Sequence, residues 1–177
     1  TQLTEAFLSD KGSPITDALA IEGLKAVSRS LLRSFTNGDD KEARSDMSFA
    51  ALMSGICLAN AGLGAVHGLA GTIGALYDIP HGVVCGTLMA PANEVNVREL
   101  RRVSRSGAVT DRYSAAVTSA VLGKYATLGR IFADATGKND NYYIDFFTDC
   151  LNALSYRLRM PKLSRYGLVH DDLAAIC

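Results

Sequence analysis

Two histidines are the residues in this sequence best placed to do chemistry. Only three occur, and His67 and His81 both lie in the nearly uncharged segment AVHGLAGTIGALYDIPHGVVCGTLMAP. A neutral imidazole offers a ring nitrogen that can bind a divalent metal. Each histidine is followed by Gly, and each falls at a predicted helix end. Their separation of fourteen residues is not the i, i+4 spacing of one helix face. They can share an ion only if the short helix between them folds back across a cavity. Pro80 places His81 in the first turn of a helix, where the positive end of the helix dipole disfavours imidazolium. Nitrogen ligands without thiolates suit divalent iron, zinc, nickel or cobalt alike. A lone histidine in an apolar setting is more often a hydrogen-bonded core residue, so the case rests on the pair, and two ligands do not complete a site.

Other constellations are weaker. His81 and Cys85, spaced i, i+4, form half of a zinc pattern that has no second half. Gly62, Gly64, Gly68, Gly71 and Gly74 do not make G-x-G-x-x-G and follow no strand, which argues against a phosphate-cradling loop. His170, before Asp171 and Asp172, reads as a surface helix cap. The run from Arg98 to Arg102 reads as a solvated helix end or loop, and Ser104 and Ser106 have no neighbouring base to activate them.

The elements that must position the histidines are helical nearly throughout, with no convincing alternating strand. Leu3, Ala6 and Phe7 belong to a first helix that breaks at Asp10-Lys11-Gly12. Ser13-Pro14 gives an N-cap and a first-turn proline for a second helix ending near Asn37-Gly38. Asp39 or Asp40 caps a third, running to about Gly62. Further helices are expected at residues 68–76, from Pro80-His81, and at 111–135, 141–158 and 170–177, with loops at 136–140 and 160–162. Between Asp46 and Glu94 the only charged residue is Asp78. The length of the 47–66 stretch would allow a membrane span, but its serines, asparagine and glycines and the lack of flanking aromatics favour a helix enclosed on all sides by others, packed against the second. The fold class expected is all-α, a helical bundle.

Composition narrows function. The 177 residues suit one domain, and 18 basic against 18 acidic residues leave no net charge to favour nucleic acid or an anionic membrane. With 7% aromatic residues and no Trp, a base-stacking surface is not expected. Cys57, Cys85, Cys150 and Cys177 form no C-x-x-C pair, and two of them fall in strongly apolar stretches, which reads as reduced core thiols of a cytoplasmic protein. No secretory signal is visible. Both ends fall within helical pattern, so the expectation is a single helical domain cut from a longer protein.

The segment HGLAGTIGALYDIPHGVVCGTLMAP resembles the signature of the iron-containing (group III) alcohol dehydrogenases, in which two histidines flank a Leu-Gly-x-x-Tyr-x-x-Pro core. EAFLSDKGSPITDALAIEGL is similar to the stretch after that family's first metal motif, and EARSDMSFAALMSGICLANAGLGAVHG to its central helix. The likeness runs from residue 1 to about Asn96 and more loosely beyond. It implies a helical domain of the dehydroquinate synthase-like, iron-containing alcohol dehydrogenase C-terminal type. It further implies a divalent metal (Fe or Zn), NAD or NADP held by a separate α/β domain, a small alcohol or aldehyde substrate, and homo-oligomers, without nucleic-acid or membrane partners. The family holds its metal with an Asp and a His four residues apart, then the two signature histidines, which match His67 and His81. The upstream His falls on Gln2, a weak amide ligand, and the Asp would precede residue 1. A further family histidine near the nicotinamide falls on Gly71. Catalytic groups beyond the metal ligands are not assigned. The alternatives are a non-catalytic assembly domain with degenerate ligands, or an enzyme like the glycerol dehydrogenases and maleylacetate reductases. The isolated chain is expected to be inactive.

Overall fold

The computed structural model describes residues 1–106 and 114–176, and every regular element among them is helical. In chain order these are α1 (Gln2–Leu8), α2 (Pro14–Thr36), α3 (Lys41–Ala61), α4 (Ala65–Leu76), α5 (His81–Ser106), α6 (Ala115–Phe132) and α7 (Asp140–Arg157). Two 3-10 turns, Leu163–Tyr166 and His170–Asp172, lead to the short α8 (Leu173–Ile176).

The helix starts follow local chemistry. Ser13 and Thr16 form a reciprocal capping box at α2, with Pro14 in the first turn. Asp40 accepts from the Ala43 N–H to cap α3, and Ser114 and Asn139 do the same for α6 and α7. Arg33, near the end of α2, pairs with both Asp40 and Glu42, which holds the turn into α3. Further along, the Ser30 hydroxyl and the Arg29 guanidinium both donate to Asp46. α2 and α3 form the most extensive helix pair, with α1 packed across them.

Packing divides into two clusters. The larger joins Leu3 and Phe7 of α1, Leu24 of α2, Met53 and Cys57 of α3, Leu100 of α5, Tyr125 of α6 and Phe147 of α7. The smaller joins Val66, Ala70 and Ile73 of α4 to Ile79, Val84 and Cys85. α6 and α7 pack at near contact through Gly129, where a Cβ would lie 1.9 Å from the Tyr143 carbonyl oxygen. Lys124 of α6 donates to the Phe7 carbonyl oxygen and pairs with Asp17, fixing the end of α1.

Several sequence expectations need correction. α3 packs on α2 as expected but is not enclosed: Ala50, Met53 and Cys57 are buried, whereas Phe49, Leu52, Ile56 and Leu58 are exposed. A helix apolar all round has no preferred face of its own, and among the described residues only α1 and α2 have substantial packing against it. The charged 98–102 run is neither loop nor helix end, since α5 continues to Ser106. Leu100 there is buried, and Arg101 pairs with Asp145 of α7. α4 begins at Ala65, three residues before the expected start, because a carboxylate from another helix supplies its cap. The expected start of α6 at Asp111 and the thiol of Cys177 lie outside the described residues. His170 opens a 3-10 turn rather than an α-helix, and Asp172 accepts the Val169 N–H there. No single helix among the described residues is long and apolar enough to cross a membrane, and α3 with α4 passes that test only as a pair bent by 95°.

Candidate metal centre

The sharp reversals around α4 bring the two histidines together. α4 starts after Gly64, which has no side chain to cap the free N–H groups of its first turn. Glu5 of α1 reaches across to do so. The Val66 N–H donates to Glu5 Oε1 at 2.8 Å and the His67 N–H donates to Oε2 at 3.2 Å. His67 Nδ1 lies 2.5 Å from the same Oε2. A carboxylate is the natural partner of this positive dipole end, and Glu5 is buried there, only 7% exposed. With a carboxylate as acceptor, Nδ1 is the donor, and in the neutral ring that leaves Nε2 as the nitrogen able to bind a metal. Gly64 makes the approach possible: a Cβ at that position would stand 2.7 Å from Glu5 Oε1.

His81 is the first residue of α5, and the Val83 and Val84 N–H groups donate to the Pro80 carbonyl oxygen. The rings of His67 and His81 have centroids 5.5 Å apart and planes inclined at 53°. One turn along α5, Cys85 Sγ lies 3.4 Å from His81 Nε2. Each of His67, His81 and Cys85 offers one ligand atom, and all three atoms lie within 4.8 Å of one another. Tetrahedral bonds of about 2.1 Å to nitrogen and about 2.3 Å to sulfur place ligand atoms roughly 3.4–3.6 Å apart. The donor set therefore fits a divalent ion with small side-chain adjustments. Cys85 is buried, His67 partly buried and His81 exposed, so the cluster is rooted in the core and open on the His81 side. Burial pushes the Cys85 thiol above its ordinary range, which keeps it protonated until a cation displaces the proton.

The other sequence candidates are placed differently. Gln2 begins α1, and its Oε1 accepts a hydrogen bond from the Ser54 hydroxyl. Its side chain lines a cavity of about 320 Å³ with Leu24, Met47, Met89 and Phe147, whose walls include neither histidine. Gly71 sits one turn beyond His67 on α4, and nothing stands within 4 Å of where its Cβ would be. The His170 side chain is 93% exposed. Sequence reasoning missed Glu5 and set Cys85 aside. The available signal for Glu5 was a lone carboxylate among Leu3, Ala6 and Phe7, on a helix whose neighbours all face a core.

The profile described as Fe-containing alcohol dehydrogenase family, C-terminal, matches residues 1–177. The chain belongs to this family. It is 36% identical to alcohol dehydrogenase 4 of Saccharomyces cerevisiae, over 65% of this chain and 30% of that enzyme. It is 38% identical to the NADPH-dependent butanol dehydrogenase of Clostridium saccharobutylicum, over 97% of this chain and 38% of that enzyme. Among solved structures, that of a 1,3-propanediol oxidoreductase superposes with a TM-score of 0.82 at 25% identity, over 99% of this chain and 41% of that one. The chain thus spans well under half the length of these Fe-containing alcohol dehydrogenase relatives, and what it shares with them is the helical C-terminal part.

Proposed function

We propose that this chain is the metal-holding part of an alcohol–aldehyde oxidoreductase, with His67 and His81 as ligands to a divalent ion beside a nicotinamide carried by a separate domain. The observation behind this reading is the convergence of two imidazoles from the starts of α4 and α5, one oriented by a buried carboxylate. When bound, the ion supplies Lewis acidity that lowers the pKa of an alcohol or polarises a carbonyl. The residues of this chain do the rest of the positioning. Glu5 bonds His67 Nδ1 and so fixes the orientation of that ring beside His81. His81, the first residue of α5, presents its ring beside that of His67 as the second ligand. The exposed His81 side and the open surface at Gly71 admit a small alcohol and the nicotinamide ring. Oxidation there removes the hydroxyl proton and passes a hydride from the same carbon to NAD or NADP.

Calorimetric titration with cobalt or zinc tests the ligand assignment. His67→Ala and His81→Ala should each abolish binding, and His170→Ala should leave it unchanged. Binding that survives both of the first two substitutions, or that disappears with His170→Ala, overturns the reading. Because no dinucleotide-binding strand–helix unit occurs among the described residues, the chain alone should leave the nicotinamide absorbance of an NADH and aldehyde mixture unchanged.

A further inference from the structure

We infer that Cys85 is the third protein ligand of this centre, giving a His–His–Cys donor set in place of one completed by Gln2. The inference rests on the assignment of His67 and His81 as metal ligands. Cys85 lies one turn after His81 on α5, and helical residues four apart share a face. Its sulfur is 3.4 Å from His81 Nε2, near the roughly 3.6 Å that nitrogen and sulfur keep on a tetrahedral ion. A ligand atom of His67, from a different helix, is within 4.8 Å of both. The thiol is free of any disulfide and fixed in the wall of the smaller core cluster. Gln2, by contrast, spends its amide oxygen on Ser54. Its neutral oxygen would also be a poorer donor than a thiolate for zinc or cobalt.

Two consequences follow from the chemistry of the set. On binding, the thiol proton leaves to solvent and the sulfur binds as thiolate, so this chain contributes one anionic ligand to the centre. Three positions of a tetrahedral ion are then met by side chains of this chain, and the fourth faces the exposed His81 side. A thiolate also shifts preference toward zinc and away from an all-oxygen-and-nitrogen ferrous site.

Cobalt(II) reports the ligand directly, because a sulfur–cobalt bond gives an intense near-ultraviolet charge-transfer band that nitrogen ligands do not. The cobalt-loaded protein should show this band. Cys85→Ser should remove it and weaken affinity on the order of a hundredfold, about one ligand's share of a four-ligand zinc site. Cys85→His should keep cobalt but lose the band, which separates a lost ligand from a lost fold. Cys57→Ser, at a buried thiol in the other cluster, should change neither. On the unsubstituted protein, zinc should protect one of the thiols from alkylation, and peptide mapping should identify it as Cys85. If His67→Ala and His81→Ala abolish binding while Cys85→Ser keeps full affinity and Cys85 alkylates equally with and without zinc, the two-histidine centre stands and this inference fails. If neither histidine variant affects binding, the proposed centre itself fails.

Discussion

Both the start of α4 and the orientation of the His67 ring depend on Glu5. Glu5→Ala removes the acceptor of three hydrogen bonds at once. Val66 is 1% exposed, so its N–H has no route to water, and an unsatisfied buried donor costs about 1–3 kcal/mol. The N–H of the partly buried His67 is nearer solvent and adds about 1 kcal/mol. The helix-cap contribution is the same interaction viewed from α4 and is not added again. The expected loss is about 2–4 kcal/mol, a fall in Tm of roughly 5–15 °C for a domain of this size. Urea unfolding followed by far-ultraviolet circular dichroism measures it.

Glu5→Gln isolates the second role. Its Oε1 can still accept from Val66, but an amide NH2 facing His67 can bond Nδ1 only by donating to it. The ring hydrogen then moves to Nε2, the ligand atom. Metal affinity should fall about 10–100-fold, the usual effect of losing the group that orients a ligand, with a smaller loss of stability than Glu5→Ala. A Glu5→Ala protein within about 0.5 kcal/mol of the parent, the range of an ordinary surface substitution, would refute the capping role. Undiminished affinity in Glu5→Gln would refute the orienting role.

Gly129→Ala should be among the most damaging small substitutions, because the added carbon meets the Tyr143 carbonyl at 1.9 Å and backbone rather than a side chain must yield. A loss of about 3 kcal/mol or more is expected from such overpacking, read as a lowered urea midpoint, and a neutral result would mean that α6 and α7 do not cross there. Asp46 is held below its usual carboxylate range by the hydrogen bonds from Arg29 and Ser30. The sign follows from a depressed folded-state pKa: this stabilisation is present above the ordinary carboxylate pKa of about 3.9 and is lost as pH falls through the lower folded value. Asp46→Asn should therefore flatten the acid limb of a stability–pH curve below about pH 4 relative to the parent.

What this sequence determines by itself is whatever its short-range chemistry encodes. Ser13-Pro14, Asp40 and Asn139 each bond an N–H two or three residues on, so the starts of α2, α3 and α7 are legible from a few neighbours. The apolar period gives the helical class, and two histidines beside glycines in an uncharged centre mark where chemistry could occur. The tertiary structure decides everything that joins distant segments. Glu5 lies 61 residues from the Val66 N–H it accepts, and no local pattern relates a carboxylate on α1 to an uncapped glycine before α4. Cys85 is an i+4 neighbour of His81 in the sequence, but it becomes a ligand candidate only when α4 folds back and sets His67 against both. The same holds for α3, whose apolar residues surround the helix, so that periodicity cannot say which face is covered. Coverage depends on which helices cross it, and here α1 and α2 bury Met53 and Cys57 while leaving Leu52 and Ile56 in the open.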